Sequence, residues 1–309
     1  PDRPVENLRD VAPVPSDLLT TLLRRIAFRE GELGDALADG ACRASERLFG
    51  GQGAPLLDRI YPRRMGQTSH WNGHWGTGGR IYFPFWLVPV LQWCVDTRDP
   101  ASDSTHPYTG NFLRYIPEHG PNRGPLSMEQ ARAACAAVYG YADAWDAALA
   151  YAPPESKAIP AIFHHNVGML VESMVLCERQ HAHVFRQDAP QQPADTELIA
   201  RLFEACTGIE PGEAGLDRAG ERVFNLLRAI DVRNHGRDRG VDWRTAESLR
   251  EPAFSDGVVL DLAKFASLLD RYYELRGWNP TNGWPTRARL EALRLGEVAD
   301  GLGAAGKLG

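Results

Sequence analysis

Apolar positions recur along this chain at helical spacing. Between residues 17 and 49, Leu18, Leu19, Leu22, Leu23 and Ile26 fall at i, i+3 and i+4 intervals, which predicts one apolar helix face. Ser16 follows Pro15 and is placed to cap the first turn. Gly31 and Gly34 interrupt the pattern. A second helix over 34–49 gathers Leu37, Ala41, Ala44 and Leu48, and Gly50-Gly51 ends it. The period then fades from 54 to 124, a stretch rich in proline, glycine and large aromatic rings. A solvated linker would not carry so many rings, so this stretch reads as ordered, irregular and packed against something. Its longest apolar run, 83–95, is broken by Pro84, Pro89 and Gln92 and falls short of the roughly 20 residues a membrane helix needs. It predicts an apolar helix ending just before Asp96.

Helical spacing returns at Ser127, with Glu129 and Gln130 positioned for a capping box, and runs to about residue 150, where Pro153-Pro154 closes it. Further helices are predicted over 159–185, 196–206, 216–232, 261–276 and 286–293. The clearest stripes are Val223, Leu226, Leu227 and Ile230, and then Leu262, Phe265, Leu268, Leu269 and Tyr272. The glycine-rich tail 301–309 is expected to fray. Strand patterns are weak and no solenoid period appears, so the chain reads as mainly α. A boundary near 115–124 gives a helical domain over 1–120 with the long aromatic-rich segment, and a second helical domain over 121–309.

Composition narrows the class. A chain of 309 residues with 43% hydrophobic and 24% charged side chains is globular and long enough for about two domains. Its net charge of −6 disfavours a general nucleic-acid binder. Five cysteines without close spacing are not a disulfide framework and point to reduced thiols in the cytoplasm. No phosphate-binding loop, dinucleotide turn, serine elbow or zinc-peptidase motif is present.

A few residues could carry chemistry. His164-His165 and His181-x-His183 invite a metal reading, but neighbours on a helix face different ways, and surface or core positions suit them better. His70 and His74 either pack beside Trp71 and Trp75 or line a cleft. Asp96, Arg98, Asp99, Asp103 and His106 concentrate charge after the apolar helix. They form either a buried ion network that holds a loop or an anion-binding and proton-transfer site. Cys177 ends an apolar run. Alone it reads as a small buried hydrophobe, and one thiolate cannot hold an iron–sulfur cluster that normally takes four.

Three segments add a resemblance. Residues 22–40 (with Arg29-Glu30-Gly31 and Asp39-Gly40), the run Glu221-Arg222-Val223-Phe224-Asn225-Leu226, and Tyr272 to Trp278 followed by Gly283-Trp284-Pro285-Thr286 resemble, in order, segments of the aldehyde ferredoxin oxidoreductases. These are tungsten enzymes with a bis-pterin cofactor and a [4Fe–4S] cluster. The resemblance implies two packed helical domains like domains 2 and 3 of that family. Glu172-Ser173-Met174-Val175-Leu176-Cys177 is similar to the family's D-S-L-G-L-C run. Through that likeness Cys177 is implied as a cluster ligand and Glu172 as a pterin contact. Val175 stands where the family has glycine and adds bulk where backbone approaches the cofactor. His106 falls near the family's substrate-side histidine and is implied in proton transfer or substrate orientation. Asp96, Arg98 and Asp99 would hold that loop or touch a pterin phosphate. The departures between 95 and 106 look more like the branch of the benzoyl-CoA reductase tungsten subunit, whose substrate is an aromatic acyl thioester.

A complete family member also has an N-terminal β-rich pterin domain and further cluster cysteines, which this sequence lacks. The resemblance therefore implies a C-terminal half whose tungstopterin and [4Fe–4S] cluster are completed only with a partner chain or a missing N-terminal half. A ferredoxin or iron–sulfur subunit would carry the electrons. A subunit of a split enzyme and a processed piece beginning at Pro1 both suit this reading. The alternative is a cofactor-free helical binding or scaffold protein derived from the family, in which Cys177 is a core residue.

Overall fold

The structure is a computed structural model and describes residues 16–50, 87–96, 126–145, 151–176, 195, 197–248 and 260–309. Among these residues the regular structure is helical. The one β feature is an isolated antiparallel bridge between Trp278 and Pro285. The mainly-α expectation holds. The chain divides into two compact units, 1–79 and 80–309.

The first unit contains α1 (Ser16–Ala27), α2 (Gly31–Leu37) and α3 (Ala41–Phe49). Arg29 takes a left-handed φ of 54° in the first turn. The second helix then lies so close that a Cβ on Gly34 would sit 2.5 Å from the Arg25 carbonyl oxygen. Arg29 bridges Asp35 and Asp39, and Arg47 reaches the other Asp35 oxygen. These pairs are half-exposed, so each contributes little alone. The expected continuous helix over 34–49 is two helices, because Gly40 at φ 92° turns the chain before α3.

The second unit contains α4 (Leu87–Val95), α5 (Met128–Tyr139), a 3-10 turn (Ala142–Trp145), α6 (Glu155–Ser173), α7 (Leu198–Thr207), α8 (Gly212–His235), α9 (Arg239–Ser248), α10 (Leu262–Arg276), α11 (Arg287–Ala292) and α12 (Gly296–Ala304). Helix α6 is the hub: α4, α5, α8 and α10 all pack on it. Its crossing with α8 depends on Gly220, where a Cβ would lie 2.2 Å from the Asn166 carbonyl oxygen. The main core includes Leu87, Leu91, Phe224, Phe265, Leu269 and Trp278. A smaller cluster of Val232, Leu290, Leu293 and Leu302 holds the last two helices against α8.

Capping explains several boundaries. Ser127 and Gln130 form the expected capping box. That helix stops at Gly140, in the left-handed region at φ 77°, instead of continuing to residue 150. Asp261 and Thr286 cap α10 and α11 by accepting from the Lys264 and Arg289 amides. The tail does not fray: Leu302 is buried, Gly309 N–H donates to the Pro285 carbonyl (3.1 Å), and Lys307 donates to the Arg233 carbonyl (2.8 Å). Among the described residues no helix is long and apolar enough to cross a membrane.

Candidate functional site

Helix α4 is apolar on nearly all sides and is buried, including Gln92. It delivers Asp96 into the interior, where the Asp96 and His165 side chains are fully enclosed and Asp96 Oδ2 lies 3.6 Å from His165 Nε2. Burial is the main force holding His165 well below the usual histidine range, with the nearby Arg276 guanidinium next. The ring is therefore neutral and its two nitrogens differ. Arg276 Nε donates to the Tyr272 hydroxyl oxygen (3.0 Å). That hydroxyl lies 3.0 Å from His165 Nδ1 and can donate to it. The arrangement assigns the ring proton to Nε2, facing Asp96. Phe224 stacks on the ring at 4.4 Å. Burial also pushes the Tyr272 hydroxyl up to about 12, so it stays a donor.

The chain of bonds continues outward. Arg276 Nη1 donates to Asn166 Oδ1 (2.6 Å), and Asn166 Nδ2 donates to Asp217 Oδ1 (2.9 Å). The Arg276 guanidinium also lies 4.3 Å from the Phe224 ring centre. Asn166 and Asp217, with Asp195 and Glu213, supply the polar lining of a cavity of about 410 Å3 between α6, α7 and α8, whose apolar lining includes Ile162, Phe163, Leu170 and Ile199. Polar contacts thus run from Asp96 in the core to a cavity large enough for a small organic molecule.

A second buried network lies beside it. Asp242 accepts both Arg228 terminal nitrogens (2.9 and 2.7 Å), Arg237 Nε (2.9 Å) and the Tyr273 hydroxyl (2.7 Å). Arg237, in the turn after α8, also reaches Asp231 on that helix and the Cys94 carbonyl, which ties this turn to the end of α4. Arg228 lies 4.8 Å from the Trp278 ring centre.

Of the candidate chemical residues singled out from sequence, Asp96 and His165 enter these networks. Glu172 is exposed on the last turn of α6, and its carbonyl accepts from the Val175 amide (3.0 Å). Val175 is 91% exposed and adopts φ 57°. Glycine at this motif position therefore has a conformational reason, a left-handed helix end, beside any close approach of a cofactor. His106, Arg98, Asp99 and Cys177 lie outside the described residues. His164 and His165 are buried and diverge: the first meets the Tyr139 hydroxyl (2.7 Å), the second meets Tyr272 and Asp96. Sequence reasoning missed Arg228, Asp242 and Asn166. It saw Tyr272 as part of an apolar stripe and of a resemblance, and Arg276 only as part of the resemblance, although their i, i+4 spacing makes them neighbours on one helix face.

Among the described residues no group of three or more His, Cys, Asp and Glu side chains is placed to hold a metal ion. Cys94 and Cys135 are buried in the core and Cys206 is exposed. Burial raises the Cys94 thiol, the reverse of what a thiolate ligand needs. The described cysteines do not make a cluster ligand set.

The active-site complex BamBC of benzoyl-coenzyme A reductase, solved with 1,5-dienoyl-CoA, contains a chain of the same fold, at TM-score 0.60 and 18% identity. The likeness covers 97% of this chain and 42% of that one, so this chain spans less than half the length of that relative. The family model described as aldehyde ferredoxin oxidoreductase, domains 2 & 3, matches residues 15–295. The chain belongs to the aldehyde ferredoxin oxidoreductase family.

Proposed function

We propose that this chain is the C-terminal helical part, or a subunit, of a tungstopterin/[4Fe–4S] oxidoreductase acting on an aldehyde or an aromatic acyl-CoA-like substrate. The observation that carries the reading is the family match across 15–295, nearly the whole chain. In this reading Cys177 supplies one cluster thiolate and Glu172 faces the pterin. His106 orients substrate or moves a proton, and Asp96, Arg98 and Asp99 hold the intervening segment or meet a pterin phosphate. The cofactors are completed by the polypeptide that brings the N-terminal pterin-binding half, and a ferredoxin or iron–sulfur subunit exchanges the electrons. The described residues contribute the frame: Asp96, enclosed against His165, fixes the point from which the 97–106 segment leaves α4.

The test is co-purification from the native host, with native mass spectrometry and metal analysis of the same material. The expected result is an assembly with a domain-1 polypeptide, tungsten or molybdenum, and iron. Cys177→Ala should keep the assembly and lose iron. Full iron content in that variant refutes the role of Cys177. A metal-free chain without a domain-1 partner refutes the oxidoreductase reading and favours a cofactor-free helical binding protein.

A further inference from the structure

The cavity between α6, α7 and α8 is lined in two distinct ways. Leu170, Ile199, Ala200 and Leu216 are buried and, with Phe163 beside them, make an apolar chamber. Its volume of about 410 Å3 suits one small organic molecule. The polar lining is of one sign. It consists of Asn166, Asp195, Glu213 and Asp217, and none of the described lining residues is basic. Asn166 is only 3% exposed, whereas the three carboxylates are exposed. The charge therefore sits where the chamber meets solvent.

The three carboxylates are not equally occupied. Asp195 is paired with Arg201 on α7. Asp217 accepts from Asn166 Nδ2 at 2.9 Å through Oδ1, and among the described residues nothing donates to its Oδ2. Glu213, in the first turn of α8, has no hydrogen bond or ion pair among the described residues. The nearby guanidiniums are engaged elsewhere: Arg218 donates to the Ala292 carbonyl, and Arg289 bonds Glu221. Glu213 and Asp217 stand at i and i+4 on α8, so they are neighbours on one face, and like charges there repel. Asn166 is held from behind, since its Oδ1 accepts from Arg276 Nη1 at 2.6 Å, and this fixes the amide that orients Asp217. We propose that this cavity binds a small organic cation, a primary amine on an aromatic or branched apolar body. The body enters the chamber beside Phe163, and the ammonium group lies between Glu213 and Asp217, relieving their repulsion. The inference stands on the cavity alone and does not depend on the oxidoreductase reading.

The experiment is titration calorimetry of the full chain at pH 7 with three probes that share one ring and differ in charge: 2-phenylethylamine, 2-phenylethanol and phenylacetate. The amine should bind about fivefold or more tighter than the alcohol, and phenylacetate should bind most weakly. Added salt should narrow the gap between amine and alcohol. Glu213→Gln and Asp217→Asn change exposed side chains, and the second keeps an acceptor for Asn166. Each should weaken the amine severalfold and leave the alcohol unchanged. Ala214→Leu, which adds bulk to the lining, should weaken both. Equal affinity for amine and alcohol, or tighter binding of phenylacetate, overturns the charge recognition. Amine binding that none of the three substitutions alters places the amine elsewhere on the surface and overturns the site. No heat from any probe at millimolar concentration overturns it as well.

Discussion

Asp242→Asn is the sharpest probe of the buried frame. The carboxylate is fully enclosed and accepts four hydrogen bonds, two from Arg228, one from Arg237 and one from the Tyr273 hydroxyl. Asparagine keeps the shape but replaces one acceptor oxygen with an NH2 group that must face a donor. It also removes the charge that neutralises Arg228, whose remaining contacts are a hydrogen bond to the Gly283 carbonyl at 3.1 Å and the Trp278 ring face. Arg237 is better placed, since it keeps Asp231 at 3.1 Å. Leaving one buried charge uncompensated costs about 3–5 kcal/mol, a large share of the roughly 5–15 kcal/mol that holds a domain folded. At about 2–4 °C per kcal/mol for a unit of this size, the melting temperature should fall by roughly 6–20 °C. Far-UV circular dichroism and tryptophan fluorescence follow the unfolding. Arg228→Met and the double variant complete a cycle. Removing both charges should be less harmful than the sum of the single changes by about 2 kcal/mol or more. A loss under about 1 kcal/mol for Asp242→Asn, or strict additivity, would refute the claim that this pair is a coupled buried unit.

Two further outcomes follow from single positions. Val175→Gly should stabilise the protein by about 0.5–1 kcal/mol, because a β-branched residue at φ 57° gives up strain and, at 91% exposure, loses no packing; urea denaturation that shows a loss instead would mean the side chain is covered. His165 is kept neutral in the fold, so below about pH 6.5 the unfolded chain binds a proton that the folded chain does not, and stability should fall as pH drops from about 7 towards 5, by up to about 1.4 kcal/mol per unit. His165→Gln should flatten that slope, and equal slopes in the two proteins would remove His165 as its source.

The sequence made the elements more legible than the site. Helical spacing located α1, α8 and α10, and turn residues explain most of the ends. It missed α9, whose Arg239, Asp242 and Gly240 give no apolar stripe, because this helix is fixed by Asp242 reaching inward to partners on α8 and α10. Long polar pairs of this kind leave no period in a sequence. Asp96 was visible as part of a charge cluster, but its partner His165 stands far along the chain and joins it only through the packing of α4 on α6. Val175 shows the opposite case. A motif comparison marked the position as unusual, and only the backbone angle supplies a reason why glycine suits it.

The two buried networks explain why so much charge is tolerated in this core. Apolar helix faces can slide by part of a turn at modest cost, whereas a bidentate Arg228–Asp242 pair or a His165–Tyr272 bond has one register. Each network joins elements that are distant in sequence: the Cys94 carbonyl of α4 and Asp96 just after it, His165 and Asn166 from α6, Arg228 from α8 and Arg237 from the turn after it, and Tyr272, Tyr273 and Arg276 from α10. Two of those helices precede in sequence the segments that carry the proposed site residues. Helix α4 ends at Val95, just before Asp96, where the run to His106 begins. Helix α6 carries His165 about two turns before Glu172 and the approach to Cys177. Fixing α4 against α6 holds Val95 and Ser173, the last residues of these two helices, in one register, so in the proposed function these polar residues act as a frame and need touch no substrate.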